Sequence, residues 1–185
     1  AFGSAHRQHA STFGVAELSD TACAGLLLEQ ELFAISEAME SPQVPMISIV
    51  GGSKTSTKLE VLNSLSQISS RILVGGGILN TFLAASGFKV GRSLYEPDLV
   101  DVARDLSKSV EVPLPRDVIV STDLSKQAKG EVKQVDEVGN DEMILDIGPV
   151  TAREWAKVLN EAKTILWNGP IGVFEYDQFG EGTRV

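Results

Sequence analysis

The sequence predicts an α/β fold, a doubly wound and mostly parallel sheet of the Rossmann-like three-layer kind. Three observations carry this expectation. Short, mainly apolar runs of strand length recur at Met46 to Val50, Ile72 to Val74, Val118 to Val120 and Thr164 to Trp167, and such runs imply strands buried on both faces. Stretches with helical spacing separate most of them, as parallel crossovers require. Glycine clusters follow the strand ends, which is where ligands collect in open α/β sheets.

The bulk composition is compatible with a packed core. Of 185 residues, 43% are hydrophobic and 22% charged, close to ordinary globular usage and far from the composition of disordered chains. Sixteen Lys and Arg against 25 Asp and Glu leave a formal net charge of −9. That balance argues against a nucleic-acid groove or an anionic membrane surface as the main partner. It leaves a small anionic ligand open, because such a ligand responds to local charge. The single cysteine, Cys23, cannot form an internal disulfide, and two histidines, His6 and His9, are too few for a zinc site. A reduced, cytoplasmic protein is expected. No apolar run approaches the roughly 20 residues that span a bilayer, and the opening residues lack the basic and apolar regions of a secretory signal.

The elements follow in order. The first 18 residues read as loop with at most a short strand. From about Asp20 to Glu40, Leu28, Leu32, Ile35 and Met39 recur at helical spacing, which lays one apolar stripe along a helix. Ser19 or Asp20 is placed to cap that helix, Pro42 and Pro45 end it, and Cys23 is read as inert helical core. After the strand at 46–50, Gly51-Gly52-Ser53 precedes a helix from about Lys54 to Ile68 whose inner face is Val61, Leu65 and Ile68. After Ile72 to Val74, Gly75-Gly76-Gly77 precedes a helix through Ile78, Phe82 and Leu83 that stops at Gly87. Pro97 suits the first turn of a third helix with Leu99, Val102, Ala103 and Leu106 inward. The polar stretch from Glu131 to Asp141 reads as an exposed edge strand or an excursion. Thr151-Ala152-Arg153-Glu154 has the form of a capping box opening a helix from Ala152 to about Ala162.

Three strand ends then point to a phosphorylated ligand. In Gly51-Gly52-Ser53-Lys54-Thr55-Ser56-Thr57-Lys58, glycines permit close backbone approach, a helix start offers N–H groups, and the two lysines stand four apart. Together these suit phosphate, although the segment is not a Walker A loop. A glycine turn followed by two solvated lysines is the other reading. Gly75-Gly76-Gly77 is either a tight turn or bare backbone against which a flat ring such as adenine lies; Asn80 stands where a dinucleotide fingerprint needs its last glycine. In Trp167-Asn168-Gly169-Pro170-Ile171-Gly172-Val173-Phe174-Glu175, a polar strand end, a shaped loop and an acid suit a small-molecule pocket in which Glu175 holds ribose hydroxyls. A simple turn, with Trp167 and Phe174 in the core, is the alternative. Arg7 is either surface polarity or an anion contact, Asp146 and Arg92 are either functional or structurally paired, and the acids of 131–142 read as a solvated surface.

Taken together, these motifs resemble phosphoglycerate kinase. Ala1-Phe2-Gly3-Ser4-Ala5-His6-Arg7, Val50-Gly51-Gly52-Ser53-Lys54, Leu73-Val74-Gly75-Gly76-Gly77, Leu145-Asp146-Ile147-Gly148-Pro149 and Ala162-Lys163-Thr164-Ile165-Leu166-Trp167-Asn168-Gly169-Pro170 with Gly172-Val173-Phe174-Glu175 follow that family's order over essentially the whole chain. The lysine loop and the Gly-Gly-Gly-Ile-Leu-Asn turn look bacterial in type. The resemblance implies a monomeric glycolytic kinase of two lobes joined by a long helix. Residues 1–19 would end the N-terminal substrate lobe, 20–40 would be the interlobe helix, and 41–185 the nucleotide-binding lobe, incomplete at its C-terminal end. The implied reaction is reversible phosphoryl transfer between 1,3-bisphosphoglycerate and ADP, with magnesium carried by the nucleotide. Such transfer needs positioning and positive charge rather than covalent chemistry.

By the same resemblance, Lys54 would stabilise the transferring phosphoryl group and Lys58 would hold nucleotide phosphates. Gly52, Gly76, Gly77, Leu94, Leu145, Asn168, Pro170, Gly172 and Val173 would line the nucleotide pocket, Glu175 would bind ribose, and Arg7 would contact phosphoglycerate. Family members continue past Val185 with a Gly-Gly-Gly-Asp-Thr segment that serves phosphates and metal, so no magnesium ligand is assigned among these residues. A nucleotide-binding module without turnover is the alternative function. A dinucleotide-dependent dehydrogenase is disfavoured by the failed glycine fingerprint.

Overall fold

The computed structural model describes residues 2–184; Ala1 and Val185, which the motifs above include, lie outside the described residues. The chain divides into a unit through Pro42 and a unit from Gln43 onward.

The first unit is helical. It holds a 3-10 turn at Phe2–Ser4, a π-helical turn at Ala10–Gly14, the short α1 (Val15–Glu17) and the fifteen-residue α2 (Leu26–Glu40). No strand forms among its described residues, because the backbone closes on itself locally, for example from Arg7 N to Ser4 O at 3.0 Å. The long helix begins later than its apolar stripe suggests, with Gly25 rather than Ser19 or Asp20 as its N-cap. Ser19 explains part of the delay: its hydroxyl donates to Thr21 O at 2.9 Å and accepts from Thr21 N at 3.4 Å, a local turn that competes with helix. Cys23 therefore sits in the non-helical stretch before α2 with its thiol exposed, not in a helical core.

The second unit carries the sheets. Strand β1 (Met46–Val50) is buried along its whole length and is flanked in parallel by β2 (Arg71–Val74) and β6 (Thr164–Asn168). Beyond β2 the sheet gains one more parallel bridge, from Arg71 to Glu111. Helices α3 (Leu59–Ser66), α4 (Gly76–Ala85), α5 (Val100–Ser109) and α6 (Pro149–Glu161) supply the crossovers, and α7 (Glu181–Arg184) is a final single turn. The core is built from Ile49, Val50, Leu62, Leu65, Ile72, Leu73, Ile78 and Phe82, none more than 2% exposed. Ser48 breaks the apolar run of β1 at no cost in unsatisfied polarity, since its hydroxyl pairs with that of Ser69 at 2.7 Å. The inner faces of two helices differ from the sequence expectation: α3 buries Leu62, Leu65 and Ser66 rather than Val61 and Ile68, and α5 buries Ala103 and Leu106 with Leu99 and Val102 only partly covered.

A second sheet is antiparallel, in the order β4 (Glu131–Gln134), β3 (Asp117–Ser121), β5 (Met143–Ile147). The parallel expectation holds for β1, β2 and β6 and not here. The reason is the connections: between β3, β4 and β5 the chain has loops and the 3-10 turn Val135–Glu137 but no α-helix, so nothing carries the strand back to a parallel start. β4 is the exposed edge strand allowed for above, whereas β5 is an additional buried strand.

Helix α6 also starts differently. Gly148 is its N-cap and Pro149 its first residue, so Thr151 lies inside the first turn. The Thr151 hydroxyl donates to Asp117 Oδ1 at 2.7 Å, and Glu154 pairs with Arg116 at 3.0 Å. The carboxylate that caps α6 is Asp117, from the start of β3: its two oxygens accept from Val150 N at 2.9 Å and Thr151 N at 2.8 Å. A reciprocal capping box is present instead at Gln134 and Glu137.

Candidate functional site

The carboxyl ends of β1, β2 and β6 release three loops that pack on one another backbone to backbone. A Cβ at Gly51 would lie 1.7 Å from Pro170 O, and Gly76, at φ +63°, would place one 2.6 Å from Gly52 O. No other residue fits those two positions without moving a neighbouring loop. Much of the hydrogen bonding expected to face a ligand is consumed here. Gly76 N donates to Ile171 O at 2.7 Å, Ile78 N to Gly52 O at 3.3 Å, and Gly51 N to Asn168 O at 2.8 Å.

Beside these loops lies a cavity of about 410 Å³. Its walls include Gly52, Gly76, Gly77, Leu94, Leu145, Pro170, Gly172, Val173 and Glu175, so one space gathers residues that follow β1, β2 and β6, the middle of β5 and the segment after α4. The volume is in the range of small-molecule sites. Ser53, Asn80, Leu124, Met143 and Ile144 complete it; none of the five is among the residues that the resemblance assigns to the pocket. Asn80 had been notable only for not being glycine; its Nδ2 donates to Leu94 O at 3.0 Å. Leu124 stands in a polar stretch, and Met143 and Ile144 belong to the strand that went unread.

Lys54, Lys58 and Asn168 are placed beside this cavity's loops rather than in its walls. Lys58 Nζ donates to Asn168 Oδ1, joining the lysine loop to the end of β6. Lys54 is exposed and precedes the helical turn at Ser56–Lys58, so the two lysines do not share one α-helix; α3 proper begins at Leu59. The N–H at the start of that turn is not open to an anion, because Ser56 N donates to Glu96 Oε2 at 2.7 Å. The Ser56 hydroxyl and N–H hold the Glu96 carboxyl below the usual carboxylate range. Trp167 and Phe174 are 43% and 50% exposed and so are not core residues; the Trp167 indole N–H donates to Gly169 O at 2.6 Å. Arg7 belongs to the first unit, where it is exposed and its carbonyl accepts from the Thr12 hydroxyl at 2.6 Å.

Asp146, next to Leu145 in the cavity wall, is 2% exposed. Burial pushes its carboxyl up to about 6, against hydrogen bonds from Gly182 N and Ile147 N, each at 2.9 Å. Arg92 is exposed, with its N–H on Glu142 O at 2.7 Å. Glu142, expected on a solvated surface, is buried to 9% exposure and pairs with Lys133 Nζ at 2.6 Å. Among the described residues, no group of three or more His, Cys, Asp or Glu side chains could hold a metal ion, and no helix is long and apolar enough to cross a membrane.

A layered α/β domain with glycine loops gathered round a cavity at its strand ends belongs to the class that takes a small ligand in that crevice. A family model described as phosphoglycerate kinase matches residues 1–185, and the chain belongs to that family. It is similar to the structure of phosphoglycerate kinase from Coxiella burnetii, at 49% identity and a TM-score of 0.86, covering 100% of this chain and 49% of that one. It is also similar to phosphoglycerate kinase from Pyrococcus horikoshii OT3, at 29% identity and a TM-score of 0.84, covering 100% of this chain and 48% of that one. The chain thus spans about half the length of these two structures.

Proposed function

We propose that this chain provides the nucleotide side of a phosphoglycerate kinase, which transfers a phosphoryl group reversibly between 1,3-bisphosphoglycerate and ADP to give 3-phosphoglycerate and ATP in glycolysis. The observation that carries the reading is the cavity of about 410 Å³ at the strand ends, bordered by glycine loops, with Lys54 and Lys58 on the adjoining loop. In this reading the base lies against Gly76 and Gly77 with Leu94 and Leu145 as apolar walls, and Glu175 accepts from the ribose hydroxyls. Gly52, Pro170, Gly172 and Val173 complete the pocket. Lys58, positioned by Asn168, meets the nucleotide phosphates with their magnesium. Lys54, exposed and free to reach, carries positive charge to the phosphoryl group in flight, where charge stabilisation contributes most. Arg7 contributes to binding phosphoglycerate from residues 1–19, the end of the substrate lobe, with 20–40 connecting the lobes and 41–185 forming the nucleotide lobe. The protein works in this reading as a cytoplasmic monomer.

Lys54→Ala tests it. In the full-length protein, turnover should fall about 100-fold or more, the size seen when one transition-state donor is removed, while ADP affinity measured by equilibrium titration falls far less. An unchanged turnover number would remove Lys54 from this role. The module reading concerns residues 1–185 by themselves: that chain should bind ADP saturably and show no phosphoglycerate-dependent turnover, and turnover by it would overturn the module reading.

A further inference from the structure

Glu96 was not marked by any motif, yet it stands between the two halves of the site just described. Its carboxylate makes a two-pronged contact with one residue of the lysine loop: Oε2 accepts from Ser56 N at 2.7 Å and Oε1 from the Ser56 hydroxyl at 2.6 Å. Ser56 lies between Lys54 and Lys58, and the loop is closed on itself where the Thr57 hydroxyl donates to Lys54 O at 2.9 Å.

The other end of the Glu96 segment is fixed as firmly. Glu96 N donates to the hydroxyl of Thr81, a fully buried residue of α4, at 3.2 Å. That hydroxyl also accepts from Thr55 Oγ1 at 3.1 Å and donates to Gly77 O at 3.0 Å, which uses its one donor and both acceptor positions. Two residues before Glu96, Leu94 forms part of the cavity wall, and its carbonyl accepts from Asn80 Nδ2 at 3.0 Å. The lysine loop, the start of α4 and the wall at Leu94 are therefore joined through one carboxylate and one threonine hydroxyl.

We propose that Glu96 is a positioning residue, holding the Lys54 to Lys58 loop through Ser56 and tying its order to occupancy of the cavity at Leu94. Glu96 does not touch a ligand in this role. It converts contact with the wall into restraint of the loop that carries the two cations. A neutral side chain of the same shape would offer one acceptor oxygen in place of two and would lack the charge that strengthens both bonds. The coupling half of the proposal rests on the nucleotide reading of the cavity, and the experiment separates the two.

Amide hydrogen exchange on the full-length protein reads the clamp directly. Without ligand, Glu96→Gln should speed exchange at Ser56 about tenfold, as expected for loss of a charge-assisted bond. Ser56→Ala keeps the N–H prong and should show a smaller increase at the same position, so the result does not depend on one variant. Adenosine is the ligand probe, because it has no phosphate to reach the lysines. In the unsubstituted protein it should slow exchange at Leu94, at Leu145 and also at Ser56; in Glu96→Gln the slowing at Leu94 and Leu145 should remain while that at Ser56 disappears. Equal exchange at Ser56 in the two unliganded proteins overturns the clamp. Slowing at Leu94 and Leu145 with none at Ser56 overturns the coupling. Absence of any slowing at Leu94 and Leu145 overturns the nucleotide reading instead, and the unliganded comparison then still decides whether Glu96 holds the loop.

Discussion

Asp117 and Asp146 lie close together in the antiparallel sheet, since Asp146 pairs with Ile119, two residues along β3 from Asp117. Both are almost completely removed from solvent, at 1% and 2% exposure. Their acidities nevertheless move in opposite directions. Burial alone would raise Asp117, but the Thr151 hydroxyl and the N–H groups of Val150 and Thr151 together outweigh it and hold the carboxyl below its ordinary value. Asp146 is pushed up to about 6 because its donors, including Gly182 N and Ile147 N, do not compensate for burial, and Glu181 adds a like charge nearby. Asp117 also faces the start of a thirteen-residue helix, whereas Asp146 faces a four-residue turn, and the longer array of peptide dipoles favours the anion. The pair shows that the balance between the cost of desolvation and the hydrogen bonds a carboxylate receives decides whether it supports this fold or opposes it.

The largest effect should come from removing the better-served carboxylate. Asp117→Ala leaves the N–H groups of Val150 and Thr151 without their acceptor, while the Thr151 hydroxyl keeps the carbonyl of residue 117 at 3.1 Å; at about 2 kcal/mol for each buried donor left unsatisfied the loss should reach about 4 kcal/mol. Denaturant unfolding at constant m-value measures it. A loss within about 0.5 kcal/mol, the range of an ordinary surface substitution, would end the claim that Asp117 caps α6.

Asp146 should produce a pH dependence of the opposite sign. A carboxyl that titrates at about 6 in the folded protein and near 3.8 when unfolded binds more protons in the folded state across that interval. Stability then falls as pH rises from about 4 to about 6 on this group's account, by on the order of 3 kcal/mol in all. Asp117, with its lowered value, supports the fold above the ordinary carboxylate range and loses that support progressively as pH falls from the ordinary value through its folded value. Asp146→Asn removes the titration, so the variant should gain on the unsubstituted protein as pH rises through 4 to 6. A stability difference that stays flat over this window would mean the carboxyl does not carry a raised value, and the contrast with Asp117 would fail.

These two residues also mark what could be read from sequence and what could not. The apolar runs of β1, β2 and β6 and the glycine clusters after them are local patterns, and the fold built the expected crevice on them. Nine residues carried over from the family resemblance, Gly52 and Glu175 among them, line one cavity. What stayed hidden depends on partners far along the chain. Thr151 reads as a cap because Glu154 stands three residues on, yet its partner is Asp117, 34 positions away. Glu96 meets Ser56 across 40 positions, and Asp146 meets Gly182 across 36. No spacing rule relates such pairs, because the relation is created by β3, α4 and α7 being packed where they are. The antiparallel sheet was missed for a similar reason: whether Glu131 to Gln134 pairs parallel or antiparallel follows from the absence of a helix in its connections, not from its own residues.

The smallest effect discriminates between the two accounts of the α6 start. If Thr151 and Glu154 formed a capping box, Glu154→Ala would remove an acceptor from a helix N–H and cost about 1 kcal/mol. In the structure Glu154 instead meets Arg116 at 3.0 Å, with side chains 43% and 68% exposed. An exposed ion pair of that kind contributes a few tenths of a kcal/mol and fades with salt. Glu154→Ala should therefore change stability by less than about 0.5 kcal/mol, and the difference should shrink further in high salt. Thr151→Val is the companion measurement, since it keeps the shape and removes the hydroxyl that donates to Asp117 and accepts from Arg116 N at 3.0 Å and Asp117 N at 3.1 Å; losing a buried bond to a charged acceptor, with two backbone donors unpaired besides, should cost about 2 kcal/mol or more. A large loss from Glu154→Ala together with a small one from Thr151→Val would return the cap to the local pair and take it from Asp117.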